Sequence, residues 1–154
     1  MTAINYTLPG SPESILSGTK TTTIRTFSHE KLNKFLKNPT IQHYWQQRTP
    51  ECRKIAEAEL VSIRIITDFR YWLYNLATFD TAKNDGFRSL EDMRKWFEHH
   101  YTKEQIEKDL FMIIESKLKP FVEWEDQNGT LYCNFEGYSD FPELCRQYNV
   151  PVVV

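Results

Sequence analysis

The stretch Gly18-Thr-Lys-Thr-Thr-Thr-Ile-Arg25 joins two kinds of local structure. Upstream, Ser11-Pro-Glu-Ser-Ile-Leu-Ser-Gly18 has the signals of one short helix: Ser11 suits the N-cap, Pro12 the first helical position and Gly18 a left-handed stop. Downstream, the β-branched run Thr19–Thr26 favours an extended strand. In an ideal strand Lys20 and Thr22 share one face, and Thr21, Thr23 and Arg25 the other. Lys20 and Thr23 therefore converge only if the chain bends, and Gly18 just upstream permits a bend. Three readings of the segment stay open on residues alone. A partly buried Lys20 loses its proton readily and can act as a base toward a hydroxyl. Lys20 and Arg25 can instead stay charged and hold a phosphate or carbonyl, or the segment can be a threonine-rich outer strand with two solvated cations.

Working outward, Ser28–Asn38 predicts a helix with Leu32, Phe35 and Leu36 on its inner face and Pro39 as its stop. Residues 39–54 read as strand and loop. Lys54–Phe69 is the strongest strand signal, and its alternation changes phase near Leu60, which predicts a bulge. Arg70–Asp80 reads as aromatic and extended or irregular. Asp85-Gly86 is a turn signal. Ser89-x-x-Asp92 opens a helix with Leu90, Met93, Trp96 and Phe97 inward, and Thr102-x-x-Gln105 opens another. Phe111–Ile114 predicts a strand buried on both faces. Phe121–Trp124 and Leu131–Phe135 around Asn128-Gly129 predict a hairpin, followed by a helix from Asp140 and an edge strand Pro151–Val154.

The chain has 154 residues, 40% of them hydrophobic, enough for one domain with a real core and too apolar for disorder. No apolar run reaches bilayer-spanning length, and the first residues lack a secretory pattern, so a cytoplasmic protein is expected. Cys52, Cys133 and Cys145 are odd in number and widely spaced, which predicts reduced thiols. Neither they nor the histidines have metal-ligand spacing, so no metal or cofactor is expected. The net charge of −2 argues against strong non-specific duplex binding. It is unevenly distributed, because residues 20–54 carry 8 cations against 2 anions and form a local patch suited to phosphate. Lys31, Lys34 and Lys37 read equally well as a solvated helix face.

The run Ile15–Arg25 resembles the opening motif of ASCH domains, a short helix followed by Gly-x-Lys-Thr-x-Thr-Ile-Arg. Ala56–Ile66 resembles their next strand, Asp85-Gly86-Phe87-x-x-Leu90 their acidic-Gly-Phe motif, and Phe111–Ile114 stands where their closing strand comes. The resemblance implies an α+β fold, a PUA-like mixed β-barrel with rim helices over residues 1–116. Residues 117–154 would be a C-terminal hairpin and helix extension packed on the same domain. It also implies RNA or modified-nucleoside recognition through Lys20–Arg25. Some small members of the family are amidohydrolases that deacetylate the exocyclic amine of cytidine with a Lys, a Thr three residues on and a Glu. Lys20 and Thr23 match the first two, and the third falls on Asp85, one methylene shorter.

Three function classes follow. As an enzyme, Lys20, Thr23 and Asp85 are the catalytic candidates. As a binding module, Thr21, Thr22, Arg25 and Arg48 would contact phosphate or base edges, with Tyr44, Trp45 and Trp72 as stacking faces. A protein-interaction module using the acidic tail is a third class. A monomer with an RNA or nucleoside ligand and no membrane partner is expected.

Overall fold

The computed structural model describes residues 2–118, Trp124–Glu125 and Leu131–Tyr132. In chain order the elements are β1 (Thr2–Tyr6), α1 (Ser11–Leu16), β2 (Thr22–Thr26), α2 (His29–Lys37), β3 (Thr40–Trp45) and β4 (Arg53–Ile66). They continue with α3 (Phe69–Tyr71), a π-helical turn at Trp72–Leu76, α4 (Phe79–Asn84), α5 (Leu90–His100), α6 (Lys103–Lys108) and β5 (Phe111–Leu118). The short strands β6 (Trp124–Glu125) and β7 (Leu131–Tyr132) pair antiparallel where the hairpin is expected. The expected turn at Asn128-Gly129, the helix from Asp140 and the strand Pro151–Val154 lie outside the described residues.

The fold is mixed α+β. Five strands form one sheet in the order β1-β3-β4-β5-β2, curled into a half-barrel. β1 and β3 are parallel, and the other pairs are antiparallel. The pairing of β4 with β5 shifts register between Leu60 and Ser62, at the expected bulge, and a second shift falls between His43 and Tyr44. Bulges of this kind bend a strand.

β5 organises the core. Its period-two alternation sends Met112 and Ile114 into a cluster with Ile4, Ile15, Leu16, Phe35 and Ile55. Phe111 and Ile113 go into a second cluster with Ile24, Phe69, Leu73, Met93 and Phe97. In the second cluster the Phe69 and Phe111 rings stack with centroids 3.8 Å apart.

Helix starts follow the sequence signals. Ser28, Ser89 and Thr102 accept hydrogen bonds from the backbone N–H groups of Lys31, Asp92 and Gln105, and Thr102 with Gln105 completes a reciprocal capping box. Four expectations need correction. The N-cap of α1 is Gly10 at φ 87°, and Ser11 instead donates from its hydroxyl to the Leu8 carbonyl. β1 was not anticipated, although Thr2, Ile4 and Tyr6 alternate inward. The segment 70–80 is helical except at Ala77 and Thr78, because Phe69 and Leu73 bury against α5 and β5 while Arg94 donates to the Leu73 and Tyr74 carbonyls. Finally, Leu36 is 61% exposed, and Phe35 carries the burial of α2 at 5%.

That last difference is testable by thermal unfolding. Phe35→Ala should lose about 3–5 kcal/mol, roughly 6–20 °C in Tm for a domain of this size. Leu36→Ala should stay within about 0.5 kcal/mol. Equal losses would place the helix face incorrectly.

Candidate active site

The two edges of the sheet, β1 and β2, approach each other, and Arg25 bridges them. From β2 its Nη2 donates to the Asn5 carbonyl of β1 at 2.6 Å, and its guanidinium lies 5.6 Å from the Tyr6 ring centroid. Between these edges and α5 lies a cavity of about 300 Å³. Lys20, Thr23, Asp85, Arg25, Tyr6 and Trp96 are among its lining residues.

Lys20 reaches the cavity because Gly18 adopts φ 76° and turns the chain out of α1. The Lys20 amide then bonds the Ser14 carbonyl at 2.9 Å. Its ammonium has three acceptors: the Thr22 carbonyl at 2.9 Å, the Asp85 carbonyl at 2.6 Å and Asp85 Oδ1 at 3.2 Å. Both side chains of this ion pair are 6% exposed. Asp85 is delivered by the turn after α4, which docks on β2 through the Thr21 amide and the Asn84 carbonyl at 2.8 Å. The carboxylate also accepts from the Ile24 amide. Thr22 and Ile24 present these groups on the side of β2 away from β5, so Lys20 and Asp85 together satisfy an otherwise open strand edge.

The acidic-Gly-Phe motif now has a physical content. Asp85 pairs with Lys20. Gly86 sits at φ 91°, and a Cβ there would meet Lys20 Cδ at 3.1 Å, so a side chain at this position would be strained and would crowd the lysine stem. Phe87 lines the cavity.

Burial pulls the Lys20 pKa down from its ordinary 10.5, against the opposing field and hydrogen bond of Asp85. Burial likewise pushes Asp85 up, against Lys20. The two groups approach each other in proton affinity, so proton transfer within the pair is easier than in water. Behind them the Tyr6 hydroxyl lies 2.8 Å from His43 Nδ1, both residues being buried. Burial, helped by the charges of Lys20 and Arg25, holds His43 down at about 3, so its imidazole is neutral. Burial raises the Tyr6 phenol, and Thr23 hydrogen-bonds to it.

The fold thus brings Lys20, Thr23, Asp85 and Arg25 to one cavity. Tyr44, Trp45 and Arg48 lie apart from it. Tyr44 donates to the Gln42 side chain at 3.1 Å, Trp45 packs against the first core cluster, and Arg48 sits exposed in the turn after β3. Trp72 stacks on Phe69 in the second core. Thr21 and Thr22 are partly buried and do not line the cavity. Sequence reading missed Tyr6 and His43, and it assigned Trp96 wholly to the core. Trp96 is partly buried, lines the cavity and stacks on His100 at 4.1 Å. Their spacing of four on α5 was the available signal. A larger concavity of about 580 Å³ lies around Tyr71 and Tyr74. Its Glu107 is held in a surface ion pair with Arg70, and its Glu98 accepts from Tyr74. Among the described residues no helix is long and apolar enough to cross a membrane, and no group of three or more His, Cys, Asp or Glu is placed to hold a metal ion.

No family model matches the chain, and no curated protein matches its sequence. Three solved structures resemble it. The hypothetical protein PH0355 aligns with a TM-score of 0.50 at 16% identity, covering 77% of this chain and all of that one. An ASCH domain from Lactobacillus crispatus JV V101 aligns with 0.46 at 18% identity, covering 76% and 78%. Protein PF0455 from Pyrococcus furiosus aligns with 0.44 at 13% identity, covering 76% and 96%. The likeness to PH0355 is one of fold, and the resemblance to ASCH-domain proteins is carried by the motifs Gly18–Arg25 and Asp85–Phe87, which the fold sets against each other.

Proposed function

We propose that this chain recognises a modified nucleoside in the cavity beside β2 and hydrolyses an acyl group from its exocyclic amine. The observation that carries the reading is the meeting of Lys20, Asp85 and Thr23 at one concave site of about 300 Å³, a volume at the small-ligand end of binding pockets. Trp96, Phe87 and Tyr101 offer apolar surface for a planar base.

The chemistry follows from the proton positions. As an ammonium, Lys20 directs its donors at Thr22 and Asp85, so it acts as a base only after losing a proton, which its burial favours. The free amine then takes a proton from Thr23 or from water. The resulting oxygen attacks the acyl carbon, the C–N bond breaks, and the proton is returned to the leaving amine; where Thr23 is the nucleophile, a water then cleaves the acyl-Thr23 ester, releasing the carboxylate and restoring the hydroxyl. Tyr6, held by His43, and Thr23 line the same cavity, so the hydroxyl stands among buried groups. RNA stacking on Tyr44 and Trp45 is less well supported, because both side chains are engaged away from the cavity.

The assay is release of cytidine from N4-acetylcytidine. Lys20→Ala should fall by at least about a hundredfold, and equal product from both proteins would exclude the mechanism. For the wild type, activity should rise with pH through the deprotonation of Lys20, with the limb below lysine's ordinary 10.5 because burial lowers that value. Asp85→Asn removes the anion that raises Lys20, so its residual activity should show the limb moved to still lower pH.

Gly86→Ala should destabilise the protein by about 1–2 kcal/mol through its left-handed backbone. It should also reduce kcat roughly tenfold to a hundredfold by displacing Lys20. Gly10→Ala is the control: it has φ 87° and nothing within 4 Å of the added carbon, so it should lose similar stability and retain kcat. Equal kcat in the two variants would disconnect the turn from the site.

A further inference from the structure

Arg25 is the cation that ties the two sheet edges together. Among the described residues no carboxylate lies within 4.0 Å of its guanidinium. Its contacts are the Asn5 carbonyl and the face of the Tyr6 ring. Lys20 and Asp85 compensate each other, so Arg25 leaves the first cavity with an unbalanced positive charge. Arg25 and Asn5 also line a second concavity of about 250 Å³ on the far side of the β1–β2 seam. Lys31 and Lys34 of α2 line it too, and no Asp or Glu does. Its floor is Ile4, Phe35 and Met112, all buried.

The lysines are arranged rather than scattered. The Lys31 ammonium donates to the Thr26 carbonyl at 3.2 Å and its hydroxyl at 2.9 Å, which tethers it to the end of β2 and leaves a donor for a ligand. Lys34 pairs with Glu30 at 3.5 Å, with both side chains mostly exposed, a contact an incoming dianion readily outcompetes. The planar fork of Arg25 has N–H donors beyond the one used on Asn5, a geometry that matches phosphate oxygens. The apolar floor excludes water and strengthens each charge contact.

We propose that this second concavity is a phosphate subsite, so that the ligand is a phosphorylated nucleoside with its base in the first cavity and its phosphate against Arg25, Lys31 and Lys34. The proposal rests on reading the first cavity as a nucleoside pocket. The phosphate can be that of a free nucleotide or the backbone of a single-stranded RNA.

Calorimetric titration of the full chain carrying Lys20→Met, which cannot turn the ligand over, with N4-acetylcytidine, its 5′-monophosphate and a trinucleotide containing that base tests it, alongside amide NMR shifts of the unaltered chain on adding inorganic phosphate. The monophosphate should bind about tenfold or more tighter than the nucleoside, the effect of hydrogen bonds to charged groups. The double variant Lys31→Gln/Lys34→Gln should erase that advantage while leaving nucleoside affinity unchanged. Inorganic phosphate alone should shift the amides of Arg25, Lys31 and Lys34. Further tightening with the trinucleotide assigns the phosphate to an RNA backbone, and its absence assigns it to a free nucleotide. Equal affinity for nucleoside and monophosphate, or an advantage that survives in the double variant, would overturn the subsite. If the nucleoside does not bind but phosphate still shifts these amides, the subsite stands and the reading of the first cavity fails.

Discussion

A lysine ammonium taken out of water loses several kcal/mol of hydration, and it persists only where acceptors replace the water. Lys20 has three such acceptors, and assembling them demands much of the surrounding chain. The Thr22 carbonyl is available because β2 is an edge strand. The two oxygens from residue 85 are available because the α4 turn docks on that edge. Asp85 has the same problem with opposite sign, and the Ile24 amide helps to solve it. The pair therefore does two things at once: it satisfies the free side of β2 and places a proton-exchanging couple in a cavity.

The same constraint explains the two glycines that matter. Gly18 turns the chain so that a residue following a helix enters the sheet edge with its side chain directed at the turn. Gly86 leaves room for the methylene stem that spans the gap. Neither glycine has a chemical role, yet both hold a left-handed backbone that L side chains rarely adopt. Arg25 adds a second tie by joining the outer strands β1 and β2 across the seam.

Local signals in the sequence were legible where local physics decides the structure. The caps at Ser28, Ser89 and Thr102, the phase change at Leu60 and the doubly buried strand at Phe111 were all readable. The juxtaposition of Lys20 with Asp85, 65 residues apart, came from the resemblance of two motifs and not from periodicity. What tertiary packing decides was not legible. The aromatic run at 69–76 has strand-like composition and is helical, because Phe69 and Leu73 have α5 and β5 to pack against. Leu36 has good helical spacing and faces solvent, because the sheet beneath α2 is covered by Phe35. Tyr6 and His43 carry no local signal, since their partnership depends on β1 pairing in parallel with β3.

The central claim is that the acyl group of a modified base lies against Thr23, at the Lys20–Asp85 pair. A crystal structure of Lys20→Met with N4-acetylcytidine tests it most directly, because the variant keeps the side-chain volume and removes the base. The pyrimidine should lie in the cavity beside Trp96 and Phe87, with the acyl carbon about 3–3.5 Å from the Thr23 hydroxyl, the range of a near-attack geometry. Nucleoside bound instead at Tyr44, Trp45 and Arg48, with the cavity beside β2 unchanged, would contradict it.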